Sequence, residues 1–488
     1  MLRRFFLLLT LLLPPLLCAG ERPNVLFIAV DDLNDWIGCV KGHPQARTPN
    51  IDALAARGTL FTNAHCQAAL CNPSRASLLT GLRPSTTGIY GLAPGIRDVE
   101  ATKNTVSLPQ AFMSAGYTTF ACGKIYHDGS VKQGTAEFAK LGPAPGLKAP
   151  PQRIAKLTGK PIAPMDWGAV GESDEENADY KIASAAIEAL QSAPADKPFF
   201  IACGFRLPHV PCVAPKKWFD LFPEDKIELP RIMEDDRSDT PRFSWYLHWS
   251  LPEPRLQTLR NCGEWKSLVR AYLATTSFMD AQVGRLLDAL KQSGRADNTI
   301  VVLWSDHGWH LGEKAITGKN TLWERATRVP LIFAGPGISQ NARCNRPVEL
   351  LDIYPTLSEL CSLQAKVAFE GHSLLPQLKD ASAPREWPAI TTSNHDNHSV
   401  RTERWRYIRY ADGSEELYDI AADPNEWNNI AADAKNSSLK DELRKWLPKS
   451  SAKPAPGSKH RVLTYDAATG EIVWEGKPIG KDDAVPED

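Results

Sequence analysis

Two hydrophobic rhythms alternate along the chain. Short, continuously apolar runs are separated by longer stretches whose apolar positions recur every three or four residues. NVLFIAV (24–30) has the uninterrupted pattern of a strand buried on both faces of a parallel sheet. TPNIDALAARG (48–58) predicts a helix opened near Thr48 and stopped by Gly58. The same alternation predicts strands at 116–123, 197–204, 298–305 and 329–335, and helices at 180–193 and 266–293. Strands separated by helices imply βαβ units, hence an α/β fold with a doubly wound, mostly parallel sheet flanked by helices. Residues 205–265 are irregular, rich in Pro, Trp and Arg, and read as an insertion over one sheet edge. Past about residue 385 the period changes to two. RTERWRYIRY (401–410), a turn at Asp412-Gly413 and ELYDI (416–420) predict a smaller antiparallel sheet plus helix subdomain. The expected division is 21–380 for the main domain and 381–488 for the subdomain, with the polar stretch after about 450 loosely attached.

The first twenty residues change this picture. Arg3 and Arg4 precede FFLLLTLLLPPLL, and Cys18-Ala19-Gly20 offer small residues for cleavage, so 1–20 reads as a signal peptide. The expected location is secreted or periplasmic. Lipid anchoring at Cys18 is disfavoured by Leu17 before it, and no stable membrane partner is expected. A formal charge of −1 over 488 residues gives no broad field for nucleic acid. The ten cysteines would permit disulfides after export, but no Cys-x-x-Cys pair suggests a zinc or thioredoxin-type site. Cys122 and Cys203 lie in apolar runs and are expected in the core.

Chemistry-bearing residues follow the strands. Asp31 and Asp32 come after the first, Lys124 and His127 after the second. Arg206 and His209 follow the third, and Asp306, His307 and Trp309 the fourth. Ligands of open α/β sheets bind at the carboxyl ends of strands. Each residue alone has an ordinary explanation. Asp31 or Asp32 could cap a turn, His209 could sit in a surface loop, Arg206 could form a structural ion pair, and Trp309 could pack or wall a pocket. Their joint placement at strand ends is what those explanations leave unexplained. Asp31, Asp32 and Asp306 are hard donors suited to Ca²⁺ or Mg²⁺, and Arg75, Lys124 and Lys319 are cations suited to an oxyanion. CNPSRASLLTG (71–81) reads as a helix with Asn72 as N-cap, Pro73 at its first position and Gly81 as its stop. Cys71 would then sit just outside a helix N-terminus, a place that favours anions.

Cys71-Asn72-Pro73-Ser74-Arg75 followed by Ala76-Ser77-Leu78-Leu79-Thr80-Gly81 resembles the signature of type I, formylglycine-dependent sulfatases of the alkaline phosphatase superfamily. The likeness extends over PNVLFIAVDDL, GKIYH, LPHVP, SDHGWHLGE and ELYDIAADPNEWNN, and is greatest toward iduronate-2-sulfatase-like enzymes. It implies a sulfuric ester hydrolase acting on a sulfated carbohydrate, with O-sulfate on a uronic acid or other sugar as substrate. It implies that a formylglycine-generating enzyme oxidises Cys71 to an aldehyde. One hydroxyl of the hydrated aldehyde then attacks sulfur and the other expels sulfate. It further implies Asp31, Asp32, Cys71, Asp306 and His307 around Ca²⁺, in preference to Mg²⁺, with His307 an unusual ligand for so hard an ion. Arg75 would hold the residue 71 hydroxyl, and Lys124 and Lys319 the sulfate. His127 would assist elimination, His209 would protonate the leaving oxygen, and Trp309 would contact the sugar. Two rivals are a phosphoester or phosphonate hydrolase of the same superfamily and, were Cys71 unmodified, a module that only binds sulfated glycans.

Overall fold

The computed structural model describes residues 22–127, 137–151 and 165–486. The signal-peptide expectation for 1–20 lies outside them. Strand β1 (Asn24–Asp31) is buried along its whole length. Leu26, Ile28 and Val30 point into one core, and Val25, Phe27 and Ala29 into another on the opposite face. That two-sided burial is why the run carries no polar alternation. The first core holds α1 (Pro49–Ala56) and two longer helices, Ala178–Ser192 and Trp265–Gln292. The second holds α2 (Cys71–Thr80), α3 (Leu108–Ser114) and, later in the chain, Ile353–Leu360. The result is a three-layer α/β sandwich.

The remaining strands of the central sheet are β2 (Gly58–His65), β3 (Thr118–Gly123), β4 (Lys140–Leu141), β5 (Phe199–Pro208), β6 (Thr299–Ser305), β7 (Arg328–Ala334) and β8 (Ala342–Cys344). Their order is β8-β2-β7-β6-β1-β5-β3-β4, and the two-residue β9 (Val348–Glu349) also pairs with β2. Strands β6, β1, β5 and β3 run parallel, with Val30 opposite both Phe205 and Ser305 and Gly123 opposite Gly204. Their carboxyl ends therefore finish at one rim. Strand β7 is antiparallel to both β6 and β2, which restores β2 to the direction of β1.

Four sequence expectations need correction. The apolar pattern did not mark β2, because Thr62, Asn63 and His65 interrupt it; their side chains are satisfied by neighbouring backbone and by each other. The helix opened by CNPSR begins at Cys71 itself, with Leu70 as its extended N-cap. Asn72 does not cap it but donates to the carbonyls of Gly91 and Pro94, at 3.0 and 2.9 Å. Gly81 does end it, at φ 75°. The 205–265 insertion does more than cover an edge, since Phe243, Tyr246 and Trp249 pack with Trp323, Tyr410 and Trp474.

The fourth correction concerns the C-terminal end. The smaller antiparallel sheet contains β10 (Ala389–Thr392), β11 (His398–Arg401), β12 (Trp405–Arg409) and β13 (Glu415–Asp419), with helix α7 (Ser437–Arg444) against it, if the two long helices and Ile353–Leu360 are numbered α4, α5 and α6. The chain after 450 is not loose. It forms a three-stranded sheet, Leu463–Asp466, Glu471–Trp474 and Lys477–Ile479, and runs along residues 85–93 through backbone bonds such as Ala455 N–H to Gly88 O, 2.9 Å. The nine cysteines among the described residues are all unpaired, and Cys122 and Cys203 are buried as expected.

Close approach of backbones fixes one part of the rim. A Cβ on Gly204 would stand 2.2 Å from the Lys124 carbonyl oxygen, and the Lys124 N–H donates to Gly204 O at 2.8 Å. Substituting Gly204→Ala must push β3 away from β5 and displace Lys124. We expect a destabilisation of about 1–3 kcal/mol, read as a lower urea midpoint. An unchanged midpoint would contradict this packing.

Candidate active site

Asp31 and Asp32 leave β1 at the rim, and Asp32 turns into the left-handed region at φ 60°. Tyr272, from the long helix α5, holds that turn: its hydroxyl donates to Asp32 O at 2.8 Å and accepts from Asn34 N–H at 2.9 Å. Asp306 leaves β6 beside it and accepts the Asp32 N–H at 3.1 Å. The first turn of α2 comes from the loop after β2. Ser74 Oγ donates to Asp306 O at 2.6 Å, and Arg75 reaches between the two strand ends. Its Nη2 lies 3.1 Å from Asp31 Oδ1 and its Nε 2.8 Å from Asp306 Oδ2, while Nη1 donates to the backbone carbonyls of Lys124 and Ile125. The guanidinium lies over the Trp304 ring, 5.5 Å from its centroid. All of these groups are buried.

Cys71 Sγ stands at the centre. Lys319 Nζ is 3.2 Å away and also donates to Asp32 Oδ1 and Oδ2, at 2.8 and 3.0 Å. His307 Nε2 is 3.2 Å from the sulfur and 3.3 Å from Asp32 Oδ1. Lys124 Nζ is 2.5 Å from Asp31 Oδ2. Burial alone would raise the Cys71 thiol, but Lys124 and Lys319 outweigh it and bring its pKa down to about 6. Burial also works against ionised Asp31, yet Lys124, His209 and Arg75 hold it well below the carboxylate range. His209 is depressed to about 4, chiefly by burial. His307 is raised to about 9 because Asp306, Asp32 and Cys71 overcome its burial.

Ligand atoms of Asp32, Cys71, Asp306 and His307 all lie within 4.8 Å of one another, and Asp31, Asp32 and His209 form a second such group. The first group fits a divalent cation. His307 Nδ1 lies 3.0 Å from Gly308 O and donates to it, which turns Nε2 toward the cluster; a bound cation would take the place of the Nε2 proton that the carboxylates favour in its absence. Burial keeps Asp32 above its usual pKa despite Lys319 and the nearby imidazoles, so this donor set accommodates further positive charge. Asp31 stands at the side, with its oxygens taken by Arg75 and Lys124.

A cavity of about 490 Å³ opens above Cys71, and Asp31, Lys124, His127, His209 and Lys319 line it. The sequence-predicted residues are thus brought together, with one exception. Trp309 is 3% exposed and does not line the cavity; its ring lies under Lys319, 5.4 Å from Nζ. From that buried position Trp309 packs against the lysine. Sequence reasoning also missed Arg461, which lines the cavity from the C-terminal segment. Nothing in its local sequence marks it.

The Sulfatase family profile matches residues 23–363 of this chain, about which the site is built. The chain belongs to the sulfatase family. A second profile, the C-terminal region of N-sulphoglucosamine sulphohydrolase, matches 312–453. The sulfatase is 44% identical over 447 residues to a sulfatase of Formosa agariphila, covering 88% of this chain and 87% of that one. It is 33% identical over 387 residues to human iduronate 2-sulfatase, covering 70% and 69%. A solved 2-O GAG sulfatase superposes with a TM-score of 0.70 at 26% identity, over 88% of this chain and 91% of the other. The chain is a sulfuric ester hydrolase with an alkaline phosphatase-like α/β fold.

Arg75 bridges Asp31 and Asp306. Arg75→Ala leaves two buried carboxylates without that partner, and we expect a loss of about 3–5 kcal/mol in urea unfolding. Arg75→Lys, which cannot span both, should recover less than half of it. Full stability in Arg75→Ala would refute this account of the charge balance.

Proposed function

We propose that this sulfatase hydrolyses the O-sulfate of a uronic acid or related sugar in a sulfated polysaccharide, with residue 71 as formylglycine. The observation that carries the reading is the position of Cys71. Its sulfur lines the cavity, 3.2 Å from both Lys319 Nζ and His307 Nε2, and is one of the four clustered donors. The reading includes export after removal of 1–20, modification by a formylglycine-generating enzyme, and a divalent cation, Ca²⁺ before Mg²⁺. Support for a glycosaminoglycan-type substrate comes from the relatives, which include a delta 4,5-hexuronate-2-O-sulfatase of Bacteroides thetaiotaomicron.

An aldehyde at position 71, once hydrated, supplies both the attacking oxygen and the hydroxyl whose proton is lost when sulfate leaves. A divalent cation held by Asp32, Asp306, His307 and the residue 71 oxygen, with Asp31 adjacent, would supply Lewis-acid polarisation of that oxygen. The chain's own groups do the rest. Lys124 and Lys319 are raised in pKa by the carboxylates and stay charged, so they bind sulfate oxygens and stabilise charge as the S–O bond breaks. Arg75, fixed by Asp31 and Asp306, would hold the residue 71 hydroxyl. His209 is neutral without substrate. A sulfate group placed between Lys124 and Lys319 offsets two charges that depress it, and so favours the protonated form needed to donate to the leaving oxygen. His127 lines the cavity wall, half-buried, and in this reading takes the proton during elimination.

Mass spectrometry of the peptide containing position 71 should show the CH₂–SH group replaced by an aldehyde after co-expression with the modifying enzyme. Cys71→Ala should lower kcat by about 10⁴-fold or more on a sulfate ester while keeping its cooperative unfolding. Turnover by Cys71→Ala close to that of the wild type would disprove the nucleophile assignment. Chelation should remove activity and a Ca²⁺ supplement restore it.

A further inference from the structure

Arg461 belongs to the segment that returns from the C-terminal sheet to the cavity. That segment is tied down on both sides. Leu92 N–H donates to His460 O at 3.2 Å, Leu463 N–H donates to Asn394 Oδ1 at 3.0 Å, and an isolated bridge joins Ala93 to Lys459. His460 and Arg461 both adopt positive φ, 64° and 68°, a conformation that disfavours side chains with a Cβ. Two such residues in succession reverse the backbone and send the arginine side chain inward. It is 9% exposed and lines the cavity with Cys71 and Lys319.

The guanidinium is held from behind. Nη1 donates to Asn320 Oδ1 at 2.8 Å and Nη2 to Glu253 Oε1 at 2.7 Å. Asn320 directly follows Lys319 and is itself fixed by its N–H to Ala69 O, 3.1 Å, in the loop that delivers Cys71. Arg461 is thereby locked in register with the sulfate-binding lysine. Two of its five N–H groups are used by these partners among the described residues, which leaves donors for a ligand in the cavity. The scissile sulfate already has Lys124 and Lys319 beside Cys71, so a third, planar and permanently charged group serves a different part of the substrate. A fixed fork matches a carboxylate.

We propose that Arg461 is a specificity-determining residue that binds the carboxylate of the sulfated sugar, so that this enzyme requires a uronate at the cleaved residue. The inference rests on the sulfatase reading above and adds the group that selects the sugar. The test compares a 2-O-sulfated hexuronate disaccharide with its carboxyl-reduced counterpart, using the modified wild type, Arg461→Ala and Arg461→Lys, each first checked for cooperative unfolding. The wild type should prefer the uronate by about 30- to 100-fold in kcat/KM. Arg461→Ala should bring that ratio close to one, and Arg461→Lys should give an intermediate value. A ratio is insensitive to general damage, which lowers both substrates together. A wild-type ratio near one, or a preference that survives in Arg461→Ala, overturns the proposal. Wild-type enzyme that cleaves an aryl sulfate but neither disaccharide overturns the carboxylate assignment and leaves the sulfatase chemistry standing. Aldehyde-bearing enzyme that cleaves no sulfate ester at all refutes the functional reading itself, and this inference with it.

Discussion

Burial of three carboxylates at one rim is the constraint around which the molecule is arranged. Asp31, Asp32 and Asp306 are each within 1% of full burial. An isolated ionised carboxylate in such a place would take up a proton or cost several kcal/mol. Arg75 offsets that buried charge by bridging Asp31 and Asp306 from α2, and Lys124 and Lys319 add one ammonium to each of Asp31 and Asp32. The planar fork of an arginine can reach two strand ends at once; a lysine offers one point of charge. The same cations lower the Cys71 thiol, so one balance serves both the carboxylates and the cysteine that lines the cavity.

Strand polarity supplies the geometry. Strands β6, β1, β5 and β3 are parallel and end together. Because β7 is antiparallel to both its neighbours, β2 also points to this rim, and its exit loop delivers Cys71. The loop between β6 and β7 returns over the site with Lys319, tied to the β2 exit through Asn320 and Ala69. The charged rim lies beyond the packed part of the sheet, since the apolar positions of the strands stay in the two cores on either face. The C-terminal segment then closes one side of the cavity with Arg461, which makes the smaller sheet part of the site's wall.

Legibility followed burial pattern. The β1 and β6 runs and the long helix α5 were readable because their environments are uniform: buried on both faces, or apolar along one wide stripe. Strand β2 was not, because buried Asn63 and His65 are satisfied by partners distant in sequence, Asn345 and the Thr327 hydroxyl. Asn72 misled for a related reason. Its side chain has the chemistry of a cap, but the helix starts one residue earlier, at Cys71, and Asn72 Nδ2 donates instead to the carbonyls of Gly91 and Pro94. The segment after 450 reads as polar because its few apolar residues, Leu463, Ile472, Trp474 and Ile479, are spread between turns, yet these four are buried and backbone bonds hold the stretch before them.

By itself, the sequence determined the α/β alternation, the strand ends that bear Asp31, Lys124, His209 and Asp306, and the CNPSR signature, because each depends on residues near in the chain. Tertiary structure alone decided that Trp309 faces inward beneath Lys319, that β2 shares the direction of β1, and that Arg461 reaches a cavity built nearly four hundred residues earlier at Cys71. Local patterns record backbone preference and average burial. Which distant groups meet is settled only when the packed elements bring their charges and hydrogen bonds into register.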